Sequence, residues 1–265
     1  MLTKEMVINF QVYSRVKELI QQAGETVRNE VFHRETITTK ESFIDLVTTV
    51  AQEVEIFFTK KLRRLIPGSH LIAEKSNTMN SLDFSKFEYT WIISPIEGTK
   101  NRFATSIALY NYNEIKFGIT LDIPNNFLYA AQKDQGAFIN DIPLTVSSVD
   151  SLKNSLIANP LLTTEWNDHA QFNNIPHSFF NKSHGIRNSG SSSLDLALIA
   201  SGQMDGFWHQ NLQPWDVAAG IILVEEAGGK ATNLYVDKSN IIVVSNKTIH
   251  EQLVNHIKNN VKRCH

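Results

Sequence analysis

The sequence predicts a layered α/β protein. Two long segments with helical periodicity come first, a run of short strands separated by turn residues follows, and strands then alternate with helices to the C-terminus. A chain of 265 residues is long enough for a large buried core. We expect one domain over 1–265, with an α+β half at 1–150 built on an antiparallel sheet and an α/β half at 151–265.

The first half carries the clearest periodic patterns. Apolar residues recur at steps of three and four over 8–31, and a second helix is predicted over 43–65, where Pro67 and Gly68 end it. Turn residues then separate apolar segments that are typical of an antiparallel meander. The predicted strands of this meander are 106–112, 115–121 and 127–131.

In the second half, short apolar segments typical of strands alternate with segments that have helical periodicity. Short apolar runs predict strands at 156–158 and 241–244. Helices are predicted over 191–200, 214–227 and 248–261, the second of them ended by a pair of glycines.

Composition excludes several classes of function. The net charge is −2, so the chain lacks the basic field that nucleic-acid binding requires. No apolar run reaches the length of a membrane span, and we expect no membrane partner. Cys264 is the only cysteine, which suits a reducing compartment, and the start of the chain lacks a signal-peptide core. We therefore expect a cytoplasmic protein.

Common catalytic signatures are missing from the sequence. It contains no dinucleotide fingerprint, no phosphate loop, no Cys-x-x-Cys pair and no His-Glu-x-x-His. The segment 190–194 lacks the second glycine of a serine-hydrolase nucleophile elbow.

Three acidic residues stand at the ends of predicted elements. Glu74 follows a strand-like stretch, Glu97 lies in a Pro/Gly turn, and Asp216 lies in the first turn of a helix. Taken singly, such residues are more often surface acids or partners of a helix dipole. Together they could converge on Mg²⁺, which prefers oxygen ligands. Gly98 and Thr99 form a turn that we expect to lead into a helix and to offer N–H groups to a phosphate.

These motifs resemble the inositol monophosphatase family, part of a magnesium-dependent, lithium-sensitive phosphatase superfamily. The family's central motif, Trp-Ile-x-Asp-Pro-Ile-Asp-Gly-Thr, stands here at 91–99. Its second motif, Trp-Asp-x-Ala-Ala-Gly followed by Glu-Ala-Gly-Gly, stands at 215–220 and 226–229. The stretches 45–48 and 136–138 are also similar to the family.

The resemblance implies an architecture and an activity. The implied fold is the layered α-β-α-β-α sandwich of the inositol monophosphatase/fructose-1,6-bisphosphatase type, usually assembled as a homodimer. The implied reaction is Mg²⁺-dependent hydrolysis of a small phosphorylated alcohol, such as an inositol phosphate, a sugar phosphate or a nucleotide phosphate.

The carboxylates that bind metal in the family are only partly retained. Carried over position by position, they become Ala51, Glu74, Lys75, Ser94, Glu97 and Asp216. Two net negative charges replace six, and Ser94 stands where the family has a carboxylate that bridges two ions. Glu97 is also one methylene longer than the family's Asp. Mg²⁺ is therefore expected to bind weakly, as one ion or none.

The remaining site residues follow from the same resemblance. Glu74 and Thr99 would orient the attacking water. The other implied groups are metal ligands (Glu74, the Ile96 carbonyl, Glu97 and Asp216), a phosphate turn (Gly98, Thr99 and Lys100) and a substrate-hydroxyl region (Gly190, Ser191, Ser192 and His209). Two alternatives stay open: His209 as an ordinary packed histidine, and Lys100 with Arg102 as a solvated helix face.

Two functional hypotheses follow. The first is a weak phosphomonoesterase, a hydrolase impaired by its substituted metal ligands. The second is a catalytically inactive paralogue that binds a phosphorylated ligand or a partner subunit.

Overall fold

The computed structural model describes residues 4–32, 40–74, 84–99, 102–159, 174–236 and 239–261. Its helices are α1 (Lys4–Phe32), α2 (Lys40–Leu65), α3 (Asn174–Phe179), α4 (Ser192–Ala200), α5 (Pro214–Glu226) and α6 (His250–Val261). Its strands are β1 (His70–Ala73), β2 (Tyr89–Thr99), β3 (Arg102–Asn111), β4 (Glu114–Asp122), β5 (Phe127–Gln132), β6 (Ala137–Ile139), β7 (Ile142–Pro143), β8 (Leu156–Ala158), β9 (Gly185–Arg187), β10 (Gly206–Gln210), β11 (Lys230–Val236) and β12 (Ser239–Ser245).

The first sheet is a sequential meander. Its seven strands lie in the order β1-β2-β3-β4-β5-β6-β7, and every neighbouring pair is antiparallel except β1 with β2. Tight turns allow this order, and Tyr112 and Asn126 adopt positive φ values in two of them. The parallel β1–β2 pair brings the residue after β1, Glu74, toward the half of β2 that carries the central motif.

The second sheet is mixed and has five strands. Its order is β11-β12-β10-β8-β9, with β8 parallel to both β9 and β10, and with β12 antiparallel to β10 and β11. The parallel pairs require crossover connections, and α4 lies in the one between β9 and β10.

Helices separate and cover the two sheets. One core cluster joins α1 and α2 to the first sheet, a second joins α4 and α5 to both sheets, and a third joins α3 and α6 to the second sheet. The predicted α-β-α-β-α order is thereby confirmed. None of the described helices combines the length and the apolar composition needed to cross a bilayer.

The long elements match their predicted positions and several short ones had not been predicted. Both N-terminal helices, the meander strands, β8, β12 and α4 to α6 lie where the periodicity placed them. The strands β6, β7, β9, β10 and β11 and the six-residue helix α3 had not been predicted. These elements are too short or too polar to show a period.

Candidate functional site

The candidate site lies where β2 ends. The strand is buried from Trp91 to Ile96, and its pairing with β3 shifts register between Ser94 and Glu97. Pro95 lies inside this irregularity, as expected for a residue that cannot donate to a sheet ladder. A β-bulge redirects the side chains that follow it. The bulge thus separates the buried core of β2 from a strand end that reaches toward α4.

Glu97 holds the start of α4. Its carboxylate accepts hydrogen bonds from the Ser191 Oγ (3.1 Å), the Ser192 N–H (2.5 Å) and the Ser193 N–H (3.1 Å). Ser191 is itself the N-cap residue, and its Oγ accepts from the Leu194 N–H at 3.2 Å. The first-turn N–H groups of a helix have no partner within the helix, and they favour negative charge. Glu97 therefore serves as a cap that comes from a strand about a hundred residues earlier.

Two glycines allow the strand end to approach α4 this closely. Gly190 has φ +86°, and a Cβ there would lie 2.5 Å from the Thr99 Cγ2. Gly98 has φ +132°, and a Cβ there would lie 2.2 Å from the Arg102 carbonyl oxygen. Both conformations and both contacts favour glycine. Thr99 is thus packed against the residue that precedes the N-cap of α4.

The turn after Thr99 leads into a strand. Pairing between β2 and β3 continues to the Gly98–Phe103 and Thr99–Arg102 pairs, so Arg102 already belongs to an antiparallel strand. The prediction of a helix after this turn was wrong, because two residues join strands that are already paired. The idea that Arg102 lies on a helix face was wrong for the same reason. Lys100 lies outside the described residues, and so does Lys75.

No carboxylate lies at the two substituted positions that the structure describes. Ser94 is 1% exposed, and its Oγ has no hydrogen-bond partner, while its carbonyl accepts from the Thr105 Oγ1 at 3.2 Å. Ala51 of α2 is also 1% exposed and packs in the apolar cluster under the first sheet. Neither side chain supplies the charge that a divalent cation needs.

Asp216 begins α5 and caps its own helix. Its Oδ2 accepts from the Gln213 N–H at 2.9 Å. Burial, together with the negative charges of Glu97 and Glu74, raises the pKa of Asp216 to about 7, although the hydrogen bond from the Gln213 N–H opposes the shift. The electrostatic influence of both glutamates indicates that Glu74 and Glu97 lie near Asp216. Ser193 joins the two helix starts, because its Oγ donates to the Asp216 carbonyl at 3.4 Å.

Other ionisable groups crowd the same region. Burial raises the pKa of Glu97, and its hydrogen bonds to Ser193, Ser192 and Ser191 oppose that shift. The pKa of Asp195 is raised to about 6, chiefly by burial and also by the charge of Glu97. Its hydrogen bonds from Ser189 and the charge of Arg102 oppose this shift. Arg102 carries a buried Nε without a hydrogen-bond partner. Arg102 is therefore the cation whose charge the described structure places beside these acids.

His209 lies on β10, in register with Ile242 of β12. Its Nδ1 contacts the Gln210 carbonyl at 2.6 Å, and its ring lies beside Phe207 at a centroid distance of 6.4 Å. Burial lowers its pKa. These contacts suit a packed histidine, and its role in substrate binding stays a prediction.

The residues at this site do not fit magnesium. Within the described ranges, no group of three or more His, Cys, Asp or Glu side chains is arranged to hold a metal ion. The carboxylate of Glu97 is bound to α4, that of Asp216 accepts from Gln213, and Ser94 and Ala51 provide none. A cation site needs several convergent oxygen ligands.

Ser193 and Asp195 belong to the site although they had not been assigned to it. Ser193 supplies one of the three donors to Glu97, and Asp195 accepts from the Ser189 N–H at 3.3 Å. The run of three serines after Gly190 at a predicted helix start was the available signal, since it placed several donors together.

Comparison with known proteins identifies the family. The model of the inositol monophosphatase family matches residues 9–262. An inositol-1-monophosphatase of Caulobacter vibrioides is 31% identical over 232 residues, which cover 83% of this chain and 90% of that protein. A putative Nus factor SuhB of Neisseria meningitidis serogroup B is 31% identical over 227 residues, which cover 82% and 86%. The inositol monophosphatase of Anabaena (Nostoc) sp. PCC 7120 superposes with a TM-score of 0.80 at 28% identity, covering 93% of this chain and 95% of that structure. The motifs, the layered fold and these matches together establish that the chain belongs to the inositol monophosphatase family.

Proposed function

We propose that this chain binds a small phosphorylated alcohol and hydrolyses it only weakly, or not at all, with magnesium. The family acts on small phosphorylated substrates through Mg²⁺. A single observation supports weaker Mg²⁺-dependent hydrolysis in this chain than in the family. The carboxylate of Glu97 points at the start of α4, where it accepts hydrogen bonds from three donors. A carboxylate held in this way is withdrawn from the metal centre, and the positions of Ser94 and Ala51 lack one entirely.

Electrostatics support retained binding of a phosphorylated ligand. Phosphate carries negative charge that needs a cation or several N–H donors. Arg102 lies beside the site with an unpartnered Nε. Gly98 and Thr99 lie next to it at the end of β2, where they pair with Phe103 and Arg102. In this proposal Arg102 takes over charge neutralisation that the magnesium ions provide elsewhere in the family.

Side-by-side kinetics test the proposal. Hydrolysis of inositol 1-phosphate, a sugar phosphate and 2′-AMP is measured across a Mg²⁺ series, with the Caulobacter enzyme as the positive control. Loss of groups that merely support metal ligands lowers metal affinity or activity by about 10–100-fold. Loss of the ligands themselves should therefore reduce kcat/KM by about 100-fold or more. Calorimetry with the same phosphates, and with Arg102→Gln, measures binding. Turnover equal to that of the control contradicts the proposal, and so does an absence of binding to every phosphate.

Restoring the carboxylates gives the converse experiment. The triple variant Ala51→Asp, Ser94→Asp, Glu97→Asp should bind Mg²⁺ and raise Mg²⁺-dependent turnover by about tenfold or more, equivalent to about 1.4 kcal/mol of barrier. The neutral triple variant Ala51→Asn, Ser94→Asn, Glu97→Gln is the matched control. Equal activity of the two variants would show that missing charge is not the cause of weak catalysis.

Binding of a partner protein is a second candidate. One relative that is 31% identical carries the name of a putative Nus factor SuhB, a name other than that of a phosphatase. Co-elution of this chain with purified Nus proteins, by size-exclusion chromatography, would support this candidate. Failure to co-elute while phosphate binding persists favours the first proposal. We also propose that the chain forms a homodimer and that it is located in the cytoplasm. Size-exclusion chromatography with light scattering measures the oligomeric state.

A further inference from the structure

We infer that Thr232, His250 and Ser245 form a proton-sensitive latch, which joins the start of α6 to the second sheet only while the His250 ring is neutral. The inference stands on hydrogen bonds between described residues and does not depend on the proposed function. Acid should open the latch and loosen the first turn of α6.

His250 connects a helix to two neighbouring strands. It is the first residue of α6 and is 2% exposed. Its Nδ1 lies 2.9 Å from the Ser245 Oγ at the end of β12, and its Nε2 lies 2.8 Å from the Thr232 Oγ1 of β11. Both ring nitrogens are therefore engaged in hydrogen bonds.

The proton positions in the latch follow from counting donors. The Ser245 hydroxyl has one proton, and it donates that proton to the Asn246 carbonyl at 2.9 Å. Ser245 can then only accept from the ring, so Nδ1 carries the proton of the neutral imidazole. Nε2 is consequently an acceptor, and the Thr232 hydroxyl donates to it. The bonds form one directed chain from Thr232 through His250 and Ser245 to Asn246.

A second proton on the ring disrupts this chain. Added at Nε2, it meets a hydroxyl that already donates there, so Thr232 must turn its own proton away and accept instead. Ser245 and Asn246 are both 0% exposed, so water cannot rearrange around the other end of the chain. A buried charge without a matched partner is costly. The latch therefore fits the neutral ring alone.

The charged groups around the ring favour the neutral form. Lys230 of β11 and both Glu251 and Lys258 of α6 line the same surface cavity as His250, whereas β12 contains no ionisable side chain. Burial, followed by the charge of Lys230, lowers the pKa of His250 from 6.5 to about 4, and the charge of Glu251 opposes this shift. Because the folded pKa is the lower one, this stabilisation is present above the ordinary pKa and is lost as the pH falls toward 4.

A second polar link holds the same end of α6 and does not titrate. The Asn246 Oδ1 accepts from the Ile249 N–H at 2.9 Å. Further along the helix, Leu253 and Ile257 are buried against the second sheet. Opening of the latch should therefore loosen the first turn of α6 while the rest of the helix stays packed.

Nitrogen NMR of the whole chain tests the latch directly. Long-range ¹H–¹⁵N correlations should show a proton on Nδ1 and none on Nε2 of His250 at pH 7, and the pKa should lie below about 5. Thr232→Val removes the donor to Nε2 and should raise the pKa of His250, because only the neutral ring accepts that bond. A proton on Nε2, an ordinary pKa, or an unchanged pKa in Thr232→Val overturns the inference.

Urea unfolding at pH 7 and pH 4.5 measures what the latch contributes. Acidification should raise the unfolding constant of the wild type at least about tenfold more than that of His250→Gln, which cannot titrate. His177→Gln removes an exposed histidine outside α6 and is the matched control, which should keep the wild-type pH dependence. Equal pH dependence of the wild type and His250→Gln overturns the inference.

Amide hydrogen exchange locates the opening. After correction for the intrinsic pH dependence of exchange, protection between pH 7 and pH 4.5 should fall first in the opening turn of α6 and in β11. A uniform loss over both sheets, or an unchanged α6, contradicts the latch. If His250→Gln does not fold, the tautomer and the exchange of the wild type decide the question without it.

Discussion

The starts of α4 and α5 solve the same problem in different ways. Each helix needs an acceptor for its first N–H groups, and each uses a carboxylate. Asp216 caps α5 from within its own first turn, accepting from Gln213 three residues earlier. Glu97 caps α4 from the end of β2, 95 residues before Ser192. The local cap depends only on α5, whereas the remote cap ties the position of α4 to the end of a strand in another layer.

This difference decides what each carboxylate can still do. Glu97 cannot turn toward a cation without leaving three donors of α4 unsatisfied. The remote cap therefore holds two layers of the fold together, whereas the bond of Asp216 stays within the start of one helix.

The largest effect should come from the strand end that carries the remote cap. Gly98→Ala adds a Cβ 2.2 Å from the Arg102 carbonyl oxygen at φ +132°, and backbone atoms cannot move aside cheaply. We expect a loss of about 3 kcal/mol in the free energy of unfolding, measured with urea. Gly68→Ala is the control: its φ is +81°, but nothing lies within 4 Å, so strain alone should cost about 1 kcal/mol. Equal losses would contradict the close approach of β3.

The local cap should matter less. Asp216→Ala removes the acceptor for the Gln213 N–H, and the loss should be about 1 kcal/mol. Asp216→Asn retains an acceptor and should stay within about 0.5 kcal/mol of the wild type. Urea unfolding of both variants beside Glu97→Ala tests the comparison directly. If Asp216→Ala costs more than Glu97→Ala, the remote cap is not the stronger of the two.

The smallest effect is expected at the bulge. The buried Ser94 Oγ has no hydrogen-bond partner, so Ser94→Ala should leave stability unchanged or raise it by about 0.5 kcal/mol. Thr105→Val, next to it, removes a donor to the Ser94 carbonyl and should lose about 1 kcal/mol. Thermal unfolding of both variants checks the pair. A loss above about 1 kcal/mol for Ser94→Ala would show that its hydroxyl has a role that the structure does not show.

The elements that sequence could predict are those that bury one face over many residues. The periodic segments of α1 and α2 and the meander strands belong to this class. The edge strands β9 and β11 and the short α3 bury too little to leave a pattern.

The motifs predicted Glu74, Glu97 and Asp216 as candidate site residues, and that assignment stays a prediction. In the structure, the charges of both glutamates act on Asp216. The bond between Glu97 and α4 could not be predicted, because it depends on a register shift in β2 and on contacts about a hundred residues apart. The predicted helix after Thr99 was wrong because sheet pairing extended to the end of the turn.

The extra methylene of Glu97 links the metal ligands to the stability of α4. Shortening this residue to Asp draws the carboxylate back from the start of α4, so the donors that it now satisfies lose their acceptor. A variant that restores the metal ligands should therefore gain activity and lose stability together. Laboratory evolution that starts from such a variant should accept compensating mutations in α4, at Ser191 or its neighbours.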